Sequence, residues 1–318
     1  MSEKTDYFRN NIRAIVSIGL TCLIGWLFSY LAIYVFEDYR LGLFIWLPLV
    51  MGVVSTVIYG FKNPIVKDNL RWISLMSLLI FALGMLIMAF EGVICLVMAT
   101  PTSVFFNIVG YKIGRIILAN SSFGGPSFMT FLFVFSVPVF MAFEDNIEEK
   151  DELRSISTTV DIKASPETVW KNVIEFPQLE EPKELIFKVG IAYPINAKIK
   201  GDGKGAIRYC NFSTGSFVEP ITNWEEPKLL EFDVLDQPEP MKELSIYDIH
   251  PNHLHGFWIS QKGQFKLTRL ENGYTRLEGT TWYINKIKPD FYWTLWSDYI
   301  VHTIHERVLN HIKKESEN

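Results

Sequence analysis

Apolar positions along this chain follow two different patterns, and the change from one to the other falls near residue 144. Before it, runs of about twenty apolar residues follow one another, long enough to cross the hydrocarbon layer of a membrane as helices. The five predicted spans lie near 14–36, 41–61, 73–91, 93–118 and 126–143. Residues 1–143 are therefore predicted to form an all-α transmembrane bundle.

After this point the sequence is typical of a water-soluble protein. Residues 144–154 form a strongly acidic predicted linker, and residues 155–318 a predicted α+β domain. Alternating apolar and polar residues predict strands. The predicted strands are 157–163, 185–191, 195–200, 204–212, 216–224, 229–235, 257–270 and 274–286. Apolar residues at helical spacing over 290–314 predict one long closing helix that packs on an antiparallel sheet.

Charge separates the same two parts of the chain. Residues 1–143 carry a formal charge of +3 and residues 144–318 one of −8. An acidic soluble part argues against a nucleic-acid partner, because phosphates require a basic surface. The three cysteines, Cys22, Cys95 and Cys210, show no C-x-x-C or zinc-ligand spacing. We therefore predict neither a metal site nor a cofactor.

Basic residues beside the apolar runs predict the orientation in the membrane. Eight of them lie on the side of the N-terminus, and the cytoplasmic side of a membrane protein carries the excess of Lys and Arg. The N-terminus is therefore predicted to be cytoplasmic. Five spans place the soluble domain outside the cytoplasm, whereas four would place it inside.

Glu91 is an acidic residue that lies between the apolar runs 73–90 and 92–111. One interpretation places it in a tight turn between two antiparallel helices. A second pairs it with Lys112 or Arg115 inside the membrane. A third assigns it to an ion or proton pathway, because an ionisable group at membrane depth often marks one.

A resemblance to a known family follows from the start of the soluble domain. A strand is followed by Ala164-Ser165-Pro166-Glu167-Thr168-Val169-Trp170, in which Ser165 is a helix N-cap and Pro166 takes the first helical position. This motif, the strand-rich middle and the closing helix resemble the START-like (SRPBCC) superfamily over residues 155–316. That superfamily includes lipid-transfer domains, the birch-pollen-allergen family and polyketide cyclases.

The resemblance implies a helix-grip fold, a curved antiparallel sheet wrapped on a long C-terminal helix. It also implies a deep, mostly apolar cavity between the two, but not a single function. A multi-span region joined to such a domain resembles uncharacterised bacterial membrane proteins. We therefore expect an integral protein of a bacterial plasma (inner) membrane.

Arg208 and Glu219 are the first candidate pair for binding. The segment 205–224 is predicted to fold as a hairpin about Thr214, which brings the two residues near one another across the strands. If both point inward, they form a polar hook in which Arg208 engages a carboxylate or phosphate. If both point outward, they form a surface ion pair of little energetic value. The facing depends on a one-residue shift of register.

The histidines offer the candidate acid or base. His305, on the closing helix, is the predicted general acid/base if the domain is an enzyme, with Glu219 as the other catalytic candidate. A buried, hydrogen-bonded core histidine is the alternative. Gly201-x-Gly203-x-Gly205 is predicted to be a hairpin turn, because a phosphate loop would need a helix after the glycines.

The end of the domain is rich in aromatic residues, and Trp282, Trp293 and Trp296 are candidates to line the cavity together with Arg208, Glu219 and His305. The alternatives for the aromatic residues are a packing seam between the helix and the sheet and, for an exposed member, contact with the bilayer. The leading hypothesis is a membrane-anchored module that binds or transfers a lipid or other hydrophobic small molecule. The alternatives are a cyclase- or hydrolase-type enzyme using the same cavity, and a structural or sensory membrane protein with a filled core. A binding role is preferred over an enzymatic one.

Overall fold

The computed structural model describes residues 2–37, 39–62, 69–119, 125–146 and 151–318. The chain forms two compact units, and each is built from two segments. The first unit contains Met1–Glu149 and Leu244–Asn252, and the second contains Lys150–Glu243 and His253–Asn318. A helical first part and an α+β second part confirm the predicted fold class.

Helices make up most of the described part of the first unit. α1 spans Ser2–Tyr30 and continues as a π-helical turn at Leu31–Val35, while a second π-helical turn, Gly42–Trp46, leads into α2. The other helices are α2 (Leu47–Gly60), α3 (Leu70–Ile87), α4 (Val93–Ala119) and α5 (Pro126–Asp145). Five stretches are long and apolar enough to cross a membrane: Asn10–Val35, Gly42–Gly60, Leu70–Ile87, Val93–Ala119 and Pro126–Glu144.

Helix α2 packs against α1, α3, α4 and α5, and glycines bring its backbone against that of α4. A Cβ atom at Gly110 would lie 1.9 Å from the carbonyl oxygen of Leu49, and one at Gly52 would lie 2.2 Å from that of Asn107. Small residues permit this approach, which is the common way in which apolar helices gain packing energy in lipid. The two glycines therefore set the distance between α2 and α4.

Polar side chains connect the helices of this unit. Asn107 of α4 is fully buried; it accepts a hydrogen bond from Ser74 Oγ at 2.8 Å and donates to the Pro48 carbonyl at 3.3 Å. Ser17 of α1 donates to the Ser55 carbonyl of α2 at 2.8 Å. Hydrogen bonds of this kind satisfy polar groups that the bilayer core leaves without water.

Glu144 is a structural residue rather than the start of a free linker. Its carboxylate is buried and accepts hydrogen bonds from the backbone N–H groups of Leu41 (3.0 Å) and Gly42 (2.7 Å). These are the unpaired donors at the start of a helical segment, where a negative charge is favourable. Because α5 continues to Asp145 and β1 begins at Leu153, regular structure extends into both ends of the predicted linker 144–154.

The segment Leu244–Asn252 belongs to the first unit although it lies between two strands of the second. Its Leu244 carbonyl accepts from the Val93 N–H at 2.9 Å, and Asn252 Nδ2 donates to the Ile33 carbonyl at 3.2 Å. Both backbone partners lie at helix ends, where such groups lack intrahelical partners. No pattern in the sequence predicted this segment, which falls within the domain predicted over 155–318.

The second unit is built on one antiparallel sheet of seven strands in the order β1-β7-β6-β5-β4-β3-β2. Its strands are β1 (Leu153–Ile162), β2 (Pro194–Lys200), β3 (Ile207–Phe212), β4 (Gly215–Glu225), β5 (Leu229–Asp233), β6 (Trp258–Arg269) and β7 (Thr275–Asn285). Its helices are α6 (Pro166–Ile174), α7 (Leu185–Lys188) and α8 (Asp290–Glu317). A 3₁₀ turn occupies Asn252–Leu254. This is the predicted helix-grip architecture.

Local sequence accounts for most of these elements. Ser165 Oγ accepts from the Thr168 N–H and Pro166 takes the first turn of α6, which confirms the predicted helix start. Gly201 and Gly203 have φ values of +88° and +71° and join β2 to β3, so the glycines form a turn between strands as predicted.

The predicted strand 185–191 is wrong. Leu185–Lys188 forms a short helix, closed by hydrogen bonds from the Val189 N–H to the Leu185 carbonyl and from the Gly190 N–H to the Phe187 carbonyl. Gly190 then turns the chain at φ +121°, a conformation that suits glycine. An alternating apolar run does not become a strand where a turn of this kind interrupts it.

The core of the second unit lies between the sheet, α6 and the second half of α8. Trp170 of α6 and Leu309 and Ile312 of α8 are almost fully buried there. On the sheet, Leu230, Leu277 and Ile162 face the same core. A Cβ atom on Gly279 of β7 would meet Leu309 at 3.5 Å, which shows how closely α8 crosses this strand.

Candidate functional site

The hairpin β3–β4 places Arg208 directly opposite Glu219. This register confirms the predicted cross-strand pair, and both residues point into the domain: Arg208 is 2% exposed and Glu219 5%. Arg208 Nη1 donates to Glu219 Oε2, which makes a buried ion pair. The outward-facing alternative is therefore wrong.

Three phenylalanine rings lie around the guanidinium of this pair. The guanidinium carbon of Arg208 lies 5.6 Å from the ring centre of Phe176 and 5.5 Å from those of Phe232 and Phe265. These distances fit cation–π contacts, which strengthen when water is excluded. Arg208 Nε also donates to the Ile174 carbonyl at 3.2 Å, so the cation is held from several directions.

Burial changes the acid–base behaviour of the groups beside Arg208. Burial raises the pKa of Glu219, and the adjacent positive charge of Arg208 opposes that rise. Burial also raises the pKa of the Cys210 thiol to about 12, with the carboxylate of Glu219 as the second cause. Cys210 is therefore a neutral thiol in this interior, and Glu219 takes up a proton more readily than an exposed carboxylate does.

A second polar group lies where α8 crosses β1 and β7. His305 Nε2 lies 2.7 Å from Thr281 Oγ1, and His305 Nδ1 lies 3.1 Å from Thr158 Oγ1. The same Thr158 oxygen lies 2.8 Å from His302 Nδ1, and His302 Nε2 lies 3.4 Å from Glu306 Oε1. Thr281, His305, Thr158 and His302 form one continuous chain of hydrogen-bonding groups, named here the Thr–His chain, and Glu306 contacts its His302 end.

Donor and acceptor rules give one consistent order of protons in this chain while both histidines are neutral. A proton on His302 Nε2 faces the Glu306 carboxylate, which only accepts, and leaves Nδ1 to accept from Thr158. Thr158 has one proton to donate, so it accepts in turn from His305 Nδ1–H. His305 Nε2 is then left to accept from the Thr281 hydroxyl.

The pKa of His305 is lowered to about 4, first by burial and then by the charge of His302. His305 is therefore neutral at neutral pH. Both of its ring nitrogens already lie within hydrogen-bond distance of threonine hydroxyls. This arrangement fits a hydrogen-bonded core histidine better than a general base with a ring nitrogen free for a substrate.

A cleft of about 400 Å³ opens beside the Thr–His chain. It is lined by Ser157, Thr158, Thr159, Val160, His302, Glu306, Leu309 and Asn310. The members from β1 and α8 are mainly polar, and Val160 and Leu309 supply the apolar surface. His302 and Glu306, rather than His305, are the titratable groups on this cleft.

The three tryptophans that were predicted to line the cavity lie in different surroundings. Trp282 lies on the opposite face of β7 from Thr281, where Lys262 Nζ stands 5.2 Å from its ring centre. Trp293 is buried, and Trp296 is half-buried on α8. Trp282 is therefore on the face of the sheet turned away from Arg208 and His305.

The predicted membrane residues are also separated. Glu91 lies in the turn between α3 and α4, where Tyr39 donates a hydrogen bond to Glu91 Oε1 at 3.0 Å. Lys112 and Arg115 lie on the exposed surface of α4, about 30 Å further along the helix by its rise per residue. Arg115 Nη1 donates to the Tyr111 hydroxyl at 3.1 Å.

Sequence reasoning missed Thr158, Thr281 and the three phenylalanines around Arg208. The alternation of β1 and β7 marked Thr158 and Thr281 as inward-facing positions, which is the only signal that could have found them. Thr158 contacts His305, which lies 147 positions later in the chain, and Thr281 contacts the same histidine on a different element. Strand patterning does not predict such pairs.

The observed class is thus a helix-grip domain joined to five apolar helices, with a buried ion pair in its interior. Solved structures similar to part of this chain include truncated norcoclaurine synthase from Thalictrum flavum (12% identity, TM-score 0.34, covering 53% of this chain and 96% of that one). The Zhui aromatase/cyclase from Streptomyces sp. R1128 has 14% identity and a TM-score of 0.33, covering 52% and 94%. Protein XoxI from Bacillus cereus has 14% identity and a TM-score of 0.34, covering 50% and 93%.

Likeness at this level carries no argument about ligand or activity. No family model matches the chain, and no curated protein matches it.

Proposed function

We propose that this chain is an integral membrane protein whose helix-grip domain binds a lipid or other apolar molecule that carries one anionic group. The observation that carries the proposal is the Arg208–Glu219 pair, buried among phenyl rings. A well-packed apolar pair of similar volume is often as stabilising as a buried ion pair, or more so. Stability alone therefore does not account for two charges at this place.

Arg208 supplies the recognition chemistry. A guanidinium offers paired donors that match a carboxylate or a phosphate. A ligand with such a group would replace Glu219 as the partner of Arg208, and Glu219 would take up a proton from solvent. Burial already raises the pKa of Glu219, so this protonation is easier here than at an exposed carboxylate.

The five apolar helices support the membrane part of the proposal. Anchoring a binding domain at the bilayer keeps it beside the phase in which apolar ligands concentrate, which raises their effective concentration. The domain is expected to face the extracytoplasmic side, since five spans would follow the predicted cytoplasmic N-terminus.

A structural domain with a filled core is the second candidate. The observation that favours it is the close packing of Arg208, which contacts three rings and the Ile174 carbonyl within the interior. In that case the ion pair connects the hairpin β3–β4 to α6 and the sheet, and no ligand binds.

Mass spectrometry of the full-length protein, extracted in mild detergent, separates the two candidates. We expect one class of anionic lipid to be enriched over the bulk membrane extract. The double variant Arg208→Met/Glu219→Gln removes both charges and should fold, yet lose the enriched lipid.

Arg276→Met is the matched control, because Arg276 pairs with Asp161 on the exposed surface at 2.8 Å. It should retain the lipid. No enrichment in the wild-type protein, or equal enrichment in the folded double variant, would overturn the binding proposal.

A further inference from the structure

The first half of α8 carries an exposed apolar stripe. Phe291, Leu295 and Tyr299 are 68%, 67% and 53% exposed, and they follow one another at spacings of four residues. That spacing places them on one face of the helix over about 12 Å. Trp296 lies half-buried beside them. Contiguous exposed apolar surface of this kind marks an interaction site more often than scattered residues do.

Chain connectivity places this stripe at the tethered end of the domain. Seven residues, 146–152, separate the end of α5 from the start of β1. Such a segment spans at most about 28 Å. Leu153, the first residue of β1, pairs with Ile284 near the end of β7, and α8 begins only six residues later at Asp290. The stripe therefore starts at the end of the domain at which the chain enters from α5.

The chemistry of the stripe fits the boundary between lipid and water. Tryptophan and tyrosine are favoured at that boundary, because each combines an apolar ring with a polar group. The neighbouring charges compensate one another: Lys288 pairs with Asp290 at 2.6 Å, and Lys286 with Asp151 at 3.5 Å. A neutral headgroup layer suits such a surface better than a strongly anionic one.

We infer that Phe291, Leu295 and Tyr299 rest in the headgroup region of the membrane that holds the five apolar helices. The inference rests on the proposed membrane integration. It adds a defined contact surface, and it orients the helix-grip domain with the start of α8 toward the lipid. An apolar ligand would then have only the headgroup layer to cross between the bilayer and this end of the domain.

Fluorescence quenching in reconstituted vesicles tests the inference. The full chain carrying Leu295→Cys, labelled with an environment-sensitive fluorophore, is placed in phosphatidylcholine vesicles that contain a lipid spin-labelled near the headgroup. The wild-type chain, treated identically, gives the background from the native cysteines. Glu271→Cys is the matched control, because Glu271 lies in the turn before β7, about 33 Å along that strand from its other end.

We expect quenching by the spin-labelled lipid to be several times stronger at position 295 than at position 271, and quenching by aqueous iodide to show the reverse order. Equal iodide access at both positions would overturn the inference. Protection of position 295 from both quenchers would overturn it too, in favour of a protein partner or a second copy.

Carbonate extraction of the same vesicles distinguishes failure of the contact-surface inference from failure of the proposed membrane integration. A protein that stays in the membrane while position 295 remains open to iodide contradicts only the contact surface. A protein that carbonate releases contradicts membrane integration itself.

Discussion

At the scale of single residues, the Arg208–Glu219 pair combines a high desolvation cost with several compensating contacts. Removing one partner of a buried ion pair leaves an uncompensated charge, which is far costlier than removing both. The pair therefore offers a sharp test of how the interior of the second unit is stabilised.

Arg208→Met should destabilise the second unit by about 3–5 kcal/mol, because it leaves the Glu219 carboxylate buried and unpaired. The double variant Arg208→Met/Glu219→Gln should recover most of that loss. Hydrogen–deuterium exchange of the β3 and β4 amides in the full chain measures both. Equal exchange rates in the single and double variants would contradict the argument.

A second residue-scale test concerns the glycines between α2 and α4. Gly110→Val should separate the two helices, since even a Cβ at this position lies 1.9 Å from the Leu49 carbonyl oxygen. We expect a cost of about 1–3 kcal/mol or more, as for overpacking in general. The measurement is the fraction of monodisperse protein after detergent extraction.

Gly19→Val is the control for this variant, because nothing lies within 4 Å of a Cβ built at Gly19. A loss as large as that of Gly110→Val would show that a valine in an apolar helix, rather than the contact between α2 and α4, causes the defect.

At the scale of elements, the sequence predicts the features that depend on residues close together in the chain, such as turns and helix starts. The turn about Thr214 predicted that Arg208 and Glu219 lie near one another but left their facing open to a one-residue shift of register, and Ser165 with Pro166 predicted the start of α6. The helix at Leu185–Lys188 was missed, because an alternating apolar run does not reveal whether a neighbouring strand will pair with it. The Thr–His chain depends on how α8 crosses β1 and β7, which is a tertiary property.

The Thr–His chain predicts a pH dependence of stability. The pKa of His305 is lowered to about 4 in the folded protein, whereas an unfolded histidine titrates near about 6.5. Between these values the unfolded chain binds more protons. The contribution is therefore fully present above about pH 6.5 and is lost as the pH falls toward 4, by up to ~3 kcal/mol.

Thermal unfolding of the full chain between pH 7 and pH 4.5 measures this loss. His305→Gln should flatten the pH dependence of stability, because it removes the group whose pKa differs between the folded and unfolded states. A His305→Gln profile that parallels the wild type would contradict the assignment.

At the scale of the whole molecule, orientation in the membrane decides where the helix-grip domain works. If the five apolar helices span the membrane and the N-terminus is cytoplasmic, as predicted from the basic residues, residue 318 lies outside the cytoplasm. Alkaline phosphatase fused after Asn318 should therefore be active in a bacterial host, whereas a green fluorescent protein fused at the same position should be dark. The reverse pattern would indicate four spans and a cytoplasmic domain.

The segment Leu244–Asn252 has a consequence for biosynthesis. It completes the first unit, yet the ribosome makes it only after β1 to β5 of the second unit. The five apolar helices are therefore synthesised long before their unit is complete, and a nascent chain released at residue 243 would leave both units incomplete. Completion of the two units is thus interleaved in the order of synthesis.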